Sequence, residues 1–421
     1  MADYIKLVKS LEELTAFKAS NDFVTPNVTV VYGDTTIDYN PIHDYSQDYL
    51  TFVAKEDGTF KFSGNSINYS VNDGETWTTL ESGIDSPTVQ VGNKIMFKAT
   101  LAPTTSSGIG TFSSTSKFAV QGNVMSLLYG DNFIGKKDLT GNNYTFRYLF
   151  KGCTGLTNTK NLCLPATTLA NNCYDSMFQG CKSLTNAPEL PATALTYKCY
   201  QAMFYGCTAL TVAPKLPATT LTNCCYQAMF SGCTALTIAP TLPAITLADY
   251  CYDGMFRNCT TLTTTPELPA TTLAPYCYEN MFYGCTALTT APELPATTLT
   301  IWCYSNMFYG CTALTVAPEL PATTLTDYCY SYMFSGCSTL TIAPTLPAAT
   351  LANYCYKEMF LSCTNLNYIK MLATDISATD CLNVWVATVS STGTFVKHPN
   401  MTSLPTGING IPTGWTVQDA A

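Results

Sequence analysis

Hydrophobic and polar positions recur along much of the chain with a fixed period. The repeating unit is 26 residues long, and its first 23 positions read C-Y-x-x-M-F-x-G-C-T-x-L-T-x-A-P-x-L-P-A-T-T-L. One cysteine series shows the spacing: Cys173, Cys199, Cys225, Cys251, Cys277, Cys303, Cys329, Cys355 and Cys381. A fixed period of this kind indicates units that bury their apolar face only by stacking. The pattern therefore predicts a solenoid of about nine coils.

Within one unit, the apolar positions predict a short helical turn and then a short strand. The apolar residues of 277–282 fall on one face of a helical turn. Glycine follows this segment in most units, and Asn258 replaces it once, as expected where a helix ends in a left-handed residue. Ser362 occupies the same place and does not fit this pattern. Residues 288–291 predict a strand, which Pro292 prevents from extending.

Before the repeats, hydrophobic and polar residues alternate between turns rich in Gly, Asp and Asn. The runs 51–53, 60–62 and 95–98 predict strands, and a small β-sandwich fits them best. The segment before it predicts a docking arm, with a short helix opening at Ser10 and a hairpin. The predicted divisions are the docking arm 1–45, the β-sandwich 46–127, the leucine-rich-repeat-like solenoid with its N-terminal cap 128–381, and a C-terminal cap 382–421.

Composition and charge narrow the possible partners of this chain. Charged residues are 12% of the 421 residues, hydrophobic residues are 47%, and the net charge is -9. No run of Lys or Arg could neutralise a phosphate backbone, so we expect no nucleic-acid partner. No apolar run reaches the roughly 18 residues that span a bilayer, so we expect no membrane insertion. Charged residues interrupt the first 23 residues, which do not resemble a secretory signal.

The 20 cysteines admit three interpretations: a metal site, a disulfide network, or small apolar core residues. A metal site is not expected, because the in-unit spacing is C-x7-C and His43 and His398 are the only histidines. Equivalent cysteines on adjacent coils lie within bridging range, so geometry leaves disulfides open. Reduced, buried thiols are the favoured interpretation. Cys224 is the candidate accessible thiol, because later coils carry Tyr250, Tyr276 or Trp302 in its place.

The repeat unit resembles the BspA-like, or Treponema-pallidum-type, leucine-rich repeat, with the pattern A-F-x-x-C-x-x-L-x-x-I-x-L-P. The matching positions in one unit are Met281, Phe282, Cys285, Leu288, Leu294 and Pro295. The resemblance covers about 230 residues, although the present unit is longer than the usual family repeat. It implies a leucine-rich-repeat-like solenoid with short strands and short helices, preceded here by a small all-β domain.

A second resemblance concerns the ends of the chain and is looser. Together with the repeats, three segments look like virion fibre proteins of crAss-like gut phages: Pro26-Asn27-Val28, Asp38-Tyr39-Asn40-Pro41 and Gly410-Ile411-Pro412-Thr413-Gly414-Trp415. This implies a head or tail fibre, made in the host cytoplasm and located in the virion. Residues 1–127 would attach to capsid or tail proteins, and the repeats would face a host surface glycan or protein. Such a fibre is expected to be a homo-oligomer.

Three classes of function can be compared on the sequence. An enzyme is not expected, because the repeats contain no histidine and the acidic residues Glu267, Glu293 and Glu319 recur as a surface row. We accordingly expect no catalytic residue, cofactor or metal. An exported bacterial surface adhesin is the alternative to the virion fibre, but it should carry a signal peptide or lipobox, which this sequence does not display. The virion fibre is therefore the favoured hypothesis.

One row of aromatic residues is the candidate ligand-binding surface. Five successive coils carry an aromatic at one position: Tyr250, Tyr276, Trp302, Tyr328 and Tyr354. Earlier coils carry Asn172, Lys198 and Cys224 there, so packing of the coil does not require a ring. A stacked row of exposed rings could bind the faces of host sugars. The alternative is that the rings pack on one another and brace the coils.

Overall fold

The computed structural model describes residues 43–103 and 105–421 with their side chains, and the backbone of three strands before them. These strands are β1 (Tyr4–Leu7), β2 (Val28–Tyr32) and β3 (Thr35–Tyr39). Strand β1 runs parallel to β2, and β2 runs antiparallel to β3. The predicted hairpin is therefore confirmed. The helix predicted to open at Ser10 lies outside the described residues.

Two facing sheets form the core of the N-terminal part. Their strands are β4 (Leu50–Ala54), β5 (Phe60–Gly64), β6 (Ile67–Ser70), β7 (Thr78–Leu80), β8 (Lys94–Lys98), β9 (Gly110–Ser114), β10 (Phe118–Asn123) and β11 (Leu156–Cys163). One sheet has the order β11-β10-β4-β8-β6-β7, and the other pairs β5 with β9. Three short helices flank them: Tyr45–Gln47, Ser126–Tyr129 and Gly130–Asn132.

Aromatic side chains join the two sheets because alternate residues of each strand point inward. The Phe52 ring of β4 lies 5.3 Å from that of Phe60 and 4.8 Å from that of Phe112 in the facing sheet. The Phe52 ring also lies 5.9 Å from that of Phe150 in the first repeat. Strand β11 pairs with β10 across the predicted boundary at residue 127, so this boundary does not separate two independent cores.

The segment predicted as a short helix is instead a run of tight turns. In the unit that begins near Asn172, every fourth residue has a left-handed backbone, with φ of 57° at Asn172, 55° at Ser176 and 74° at Gly180. An α-helix requires negative φ throughout, so the prediction of short helices is wrong. Along this segment, backbone amides donate hydrogen bonds alternately to a carbonyl of their own repeat and to a carbonyl of the next repeat. The Cys173 amide donates to Ala170 of its own unit, whereas the next amide donates to a carbonyl 25 residues ahead.

The glycine position after this segment behaves as the sequence predicts. Gly180, Gly206, Gly232, Gly284, Gly310 and Gly336 have φ between 69° and 76°. Asn258 has φ of 58°, and Ser362 adopts the same conformation, with φ of 62°. The predicted short strand shrinks to isolated pairs of bridged residues between neighbouring repeats, such as Thr290 with Val316. The adjacent prolines explain this, because they interrupt the amide ladder.

The interior of the repeats consists of parallel stacks of identical side chains. The tyrosines from Tyr174 to Tyr356 are buried, with ring centroids 5.7–6.2 Å apart in successive units. The phenylalanines from Phe150 to Phe360 form a second stack at 5.4–5.8 Å. Equivalent residues of neighbouring units therefore lie side by side. The number of coils, about nine by the spacing, stays a prediction.

The C-terminal end of the stack is covered by bulky apolar side chains. Three parallel strands extend it: β12 (Tyr368–Met371), β13 (Thr394–Lys397) and β14 (Thr416–Asp419). The fully buried Trp385 lies over the last Phe360 ring at 6.0 Å, and its indole Nε1 donates to the Gly410 carbonyl at 2.9 Å. Repeat arrays need such a cover, because the last unit otherwise exposes its core.

Candidate functional site

The five aromatic residues predicted as a ligand surface form one continuous stack of half-buried rings. Successive centroids from Tyr250 to Tyr354 are 4.3, 6.2, 4.0 and 4.4 Å apart, and the planes differ by at most 10°. Each inner ring therefore has a neighbouring ring on both faces, and mainly its edges reach the surface. This geometry fits the bracing alternative, because a sugar that stacks on an aromatic residue needs an open face.

The predicted accessible thiol is buried. Cys224 is 8% exposed, because it stacks between neighbouring repeats in the row that continues as Tyr250. Burial raises the pKa of its thiol above the usual value, although the charge of Lys198 opposes the shift. The prediction of an accessible Cys224 is therefore wrong. Cys163 is the half-buried cysteine, and burial raises the pKa of its thiol to about 11.

A polar groove crosses three neighbouring repeats beside the aromatic stack. Its floor is made by the small residues Ala202, Ala228 and Gly254, which occupy equivalent positions. The next units carry Asn280 and Asn306 at this position, so the groove ends there. The cavity measures about 440 Å³, within the range of 300–1,000 Å³ that is typical of ligand sites.

One side of the groove is a chain of hydrogen-bonded side chains that converges on a carboxylate. The Gln201 amide Nε2 donates to Gln227 Oε1 at 2.5 Å, and the Gln227 Nε2 donates to Asp253 Oδ2 at 2.9 Å. From the other direction, the Asn280 Nδ2 donates to Asp253 Oδ1 at 3.2 Å. The stacking of the repeats brings these residues together, because each lies on the outer face of its own unit. Asp253 is therefore held in one orientation.

A second carboxyl group lies next to Asp253. Burial raises the pKa of Glu279 to about 7, and the negative charge of Asp253 contributes to this shift. Burial also raises the pKa of Asp253, against the hydrogen bonds from Gln227 and Asn280 and the charge of Arg257. Burial thus favours the protonated form of both carboxyl groups, and a protonated carboxyl group can donate as well as accept a hydrogen bond.

The opposite side of the groove presents Tyr205, Ser231 and Arg257 from the same three repeats. Tyr205 is 45% exposed. The exposed Arg257 guanidinium lies 4.6 Å from the centroid of the Tyr283 ring, which holds the charge beside the groove. The groove therefore combines amides, a carboxyl group, a guanidinium and an aromatic ring within one concave surface.

Comparison with known protein families identifies the repeats. The family model of the BspA type leucine rich repeat region matches residues 142–263 and 275–380 in six copies, which together cover more than half of the chain. The chain belongs to this BspA-type family. BspA-type repeats indicate an adhesion-like surface protein. A comparison with curated proteins found no similar sequence.

The groove of these BspA-type repeats was missed by the reasoning from sequence. The acidic residues singled out from the sequence were the surface row Glu267, Glu293 and Glu319, whereas stacking brings a different pair, Asp253 and Glu279, together from adjacent units. The signal in the sequence was one repeat position that holds the small residues Ala202, Ala228 and Gly254 in three repeats and larger side chains in the later ones. Their meaning depends on knowing that this position faces outward, which the helical interpretation obscured.

Across 43–103 and 105–421, no group of three or more His, Cys, Asp or Glu side chains is placed to hold a metal ion. In the same part of the chain, no helix has the length and apolar character to cross a membrane.

Proposed function

We propose that this chain is a non-enzymatic adhesion protein, held through residues 1–127 and binding a host surface glycan or protein through its repeats. The polar groove supports this proposal most directly. Its side chains project from units whose inner residues, such as Tyr252 and Met255, are almost completely buried. A rigid support of this kind keeps binding groups in place without further loss of conformational entropy.

The connection between the two parts of the chain suits a protein that carries load from an anchor to a contact surface. Strand β11 extends the N-terminal sheet into the repeats, and Phe112 packs on Phe150 of the first repeat at 5.7 Å. A continuous core and sheet give no flexible hinge at this junction. Anchoring by residues 1–127 would therefore hold the repeats in a fixed direction.

A phage virion, in which the chain is a homo-oligomeric head or tail fibre, is our preferred setting. It is supported by the use of the cysteines as thiols. The Sγ atoms of Cys233, Cys259 and Cys285 each donate to a buried carbonyl of a neighbouring unit at 3.1–3.2 Å. Protonated donors of this kind suit folding in a reducing cytoplasm. The alternative is an exported bacterial adhesin, which the family match supports equally.

Binding of the labelled full-length chain to a panel of intact bacterial strains tests the adhesion proposal. Fab fragments raised against the repeats should abolish binding, whereas Fab fragments against the N-terminal β-sandwich should leave it unchanged. The reverse pattern would contradict the assignment of the two parts. Absence of binding to every strain would contradict adhesion itself.

A further inference from the structure

The polar groove has hydrogen-bonding capacity that its internal bonds leave unused. The side-chain amides of Gln201 and Gln227 each donate one N–H to the next side chain and have a second N–H to offer. The Asp253 carboxylate accepts two amide hydrogen bonds and keeps further lone pairs. A ligand that is both donor and acceptor at closely spaced positions would satisfy these groups, and vicinal hydroxyl groups have this property.

The charges at the groove favour an uncharged ligand over an anionic one. Asp253 places a carboxyl group on the groove, Glu279 lies close enough to be affected by its charge, and Arg257 supplies one positive charge. An acidic sugar would bring a negative charge next to Asp253 in a partly desolvated position, which is unfavourable. A neutral hydroxylated ligand brings no such cost.

Tyr205 offers what the aromatic stack does not, an aromatic residue without a ring beside it. The equivalent residues in the adjacent repeats are Gln179 and Ser231, so Tyr205 has no equivalent ring above or below it to stack on. The side chain is 45% exposed and borders the groove. An aromatic face beside convergent polar groups can receive the apolar face of a sugar ring.

We propose that the groove formed by Gln201, Ala228, Asp253 and their neighbours binds a short neutral oligosaccharide. The groove runs along the stack across three repeats, so it suits a linear ligand with several hydroxylated units. This inference rests on the proposed adhesion function and names the ligand class of that function. Sugar hydroxyl groups bond to the amides and to Asp253, and a sugar face lies on Tyr205.

A substitution that copies the protein's own sequence can fill the groove. Tyr332 occupies the position equivalent to Ala228, and both have a left-handed backbone, with φ of 58° and 53°. Ala228→Tyr therefore places a ring over the small Ala202 and Gly254 without a new backbone demand. Gly254→Asn, which copies Asn280, is a second and smaller obstruction. Tyr332→Ala is the matched control, because it changes the same row outside the groove.

The experiment applies full-length protein and each variant to a printed array of neutral and sialylated oligosaccharides. Wild type should bind a set of neutral oligosaccharides, Ala228→Tyr should reduce that signal by about tenfold or more, and Tyr332→Ala should retain it. Circular dichroism establishes that each variant is folded. If Ala228→Tyr does not fold, the decision rests on Gly254→Asn, which should also reduce binding.

Three results would overturn the inference. Unchanged saccharide binding in the folded groove variants would place the site elsewhere. Binding of sialylated probes alone would show that the ligand class is wrong. A wild type that binds no saccharide while still adhering to cells would refute the inference and leave the adhesion function intact.

Discussion

Replacing Trp302 by alanine tests whether the aromatic stack formed by residues 250, 276, 302, 328 and 354 braces the repeats. The indole lies between two rings, with centroids 6.2 Å from Tyr276 and 4.0 Å from Tyr328. The backbone at Trp302 is left-handed, with φ of 60°, and Ala228 shows that alanine adopts such a conformation in this repeat. The backbone cost is therefore similar before and after the substitution, and the measured change reports on the ring.

The expected loss of stability follows from these two contacts. A stacked aromatic pair contributes about 0.5–1.5 kcal/mol beyond the apolar area it buries. Trp302→Ala loses both contacts and also the apolar area of a half-buried indole, so it should lower the free energy of unfolding by about 2–4 kcal/mol. Tyr205→Ala removes an exposed ring that has no stacked neighbour and should cost less than about 0.5 kcal/mol.

Urea unfolding of both variants, followed by circular dichroism, measures the difference. A shift of the midpoint with an unchanged slope identifies a change in stability. Equal, small effects of the two substitutions would refute the bracing interpretation. The rings of the stack would then have to be reconsidered as a ligand surface.

Three further predictions concern the thiols, the backbone and one carboxyl group. The thiols of native protein should react slowly, with Cys163 reacting before Cys224. Denatured protein should show close to 20 reactive thiols without reductant, and a count near zero would mean disulfides. Ser362→Gly should raise the free energy of unfolding by about 0.5–1 kcal/mol, because it removes a left-handed side chain, and a loss in urea unfolding would contradict this. The pKa of Glu279 is raised from 4.5 to about 7, so its stabilising contribution is present below pH 4.5 and lost as the pH rises through 7. The free energy of unfolding of Glu279→Gln minus that of wild type should therefore be larger at pH 8 than at pH 4.5, by about 1–2 kcal/mol after solvent screening. An equal difference at both pH values would refute the raised pKa.

The stacked repeats and their inward residues could be predicted because identical side chains at a fixed period can be buried only together. The strands near Phe52 and Phe60 followed from simple alternation. The tight turns could not be foreseen, because residues such as Trp302 and Tyr332 rarely adopt positive φ. Hydrogen bonds between repeats hold them there, which local preference does not reveal.

The groove was beyond prediction for a related reason. It depends on contacts between residues 26 apart, such as Gln201 with Gln227, whose side chains meet only after the repeats stack. Its acidic pair combines Asp253 and Glu279 from different units, so neither residue alone suggests a site. The aromatic stack was visible in the sequence, but whether its rings stack or stand free was decided by their geometry.

Immunoelectron microscopy of purified phage particles and of intact bacteria tests whether the protein is part of a virion and is anchored through its N-terminal part. One antibody recognises the repeats, and a second recognises the N-terminal β-sandwich. Both antibodies should label the virion, with the N-terminal label close to the particle surface and the repeat label farther out. If the antibodies labelled the bacterial envelope and left the virions unlabelled, the virion setting would be contradicted. A repeat label closer to the particle than the N-terminal label would contradict the proposed anchor.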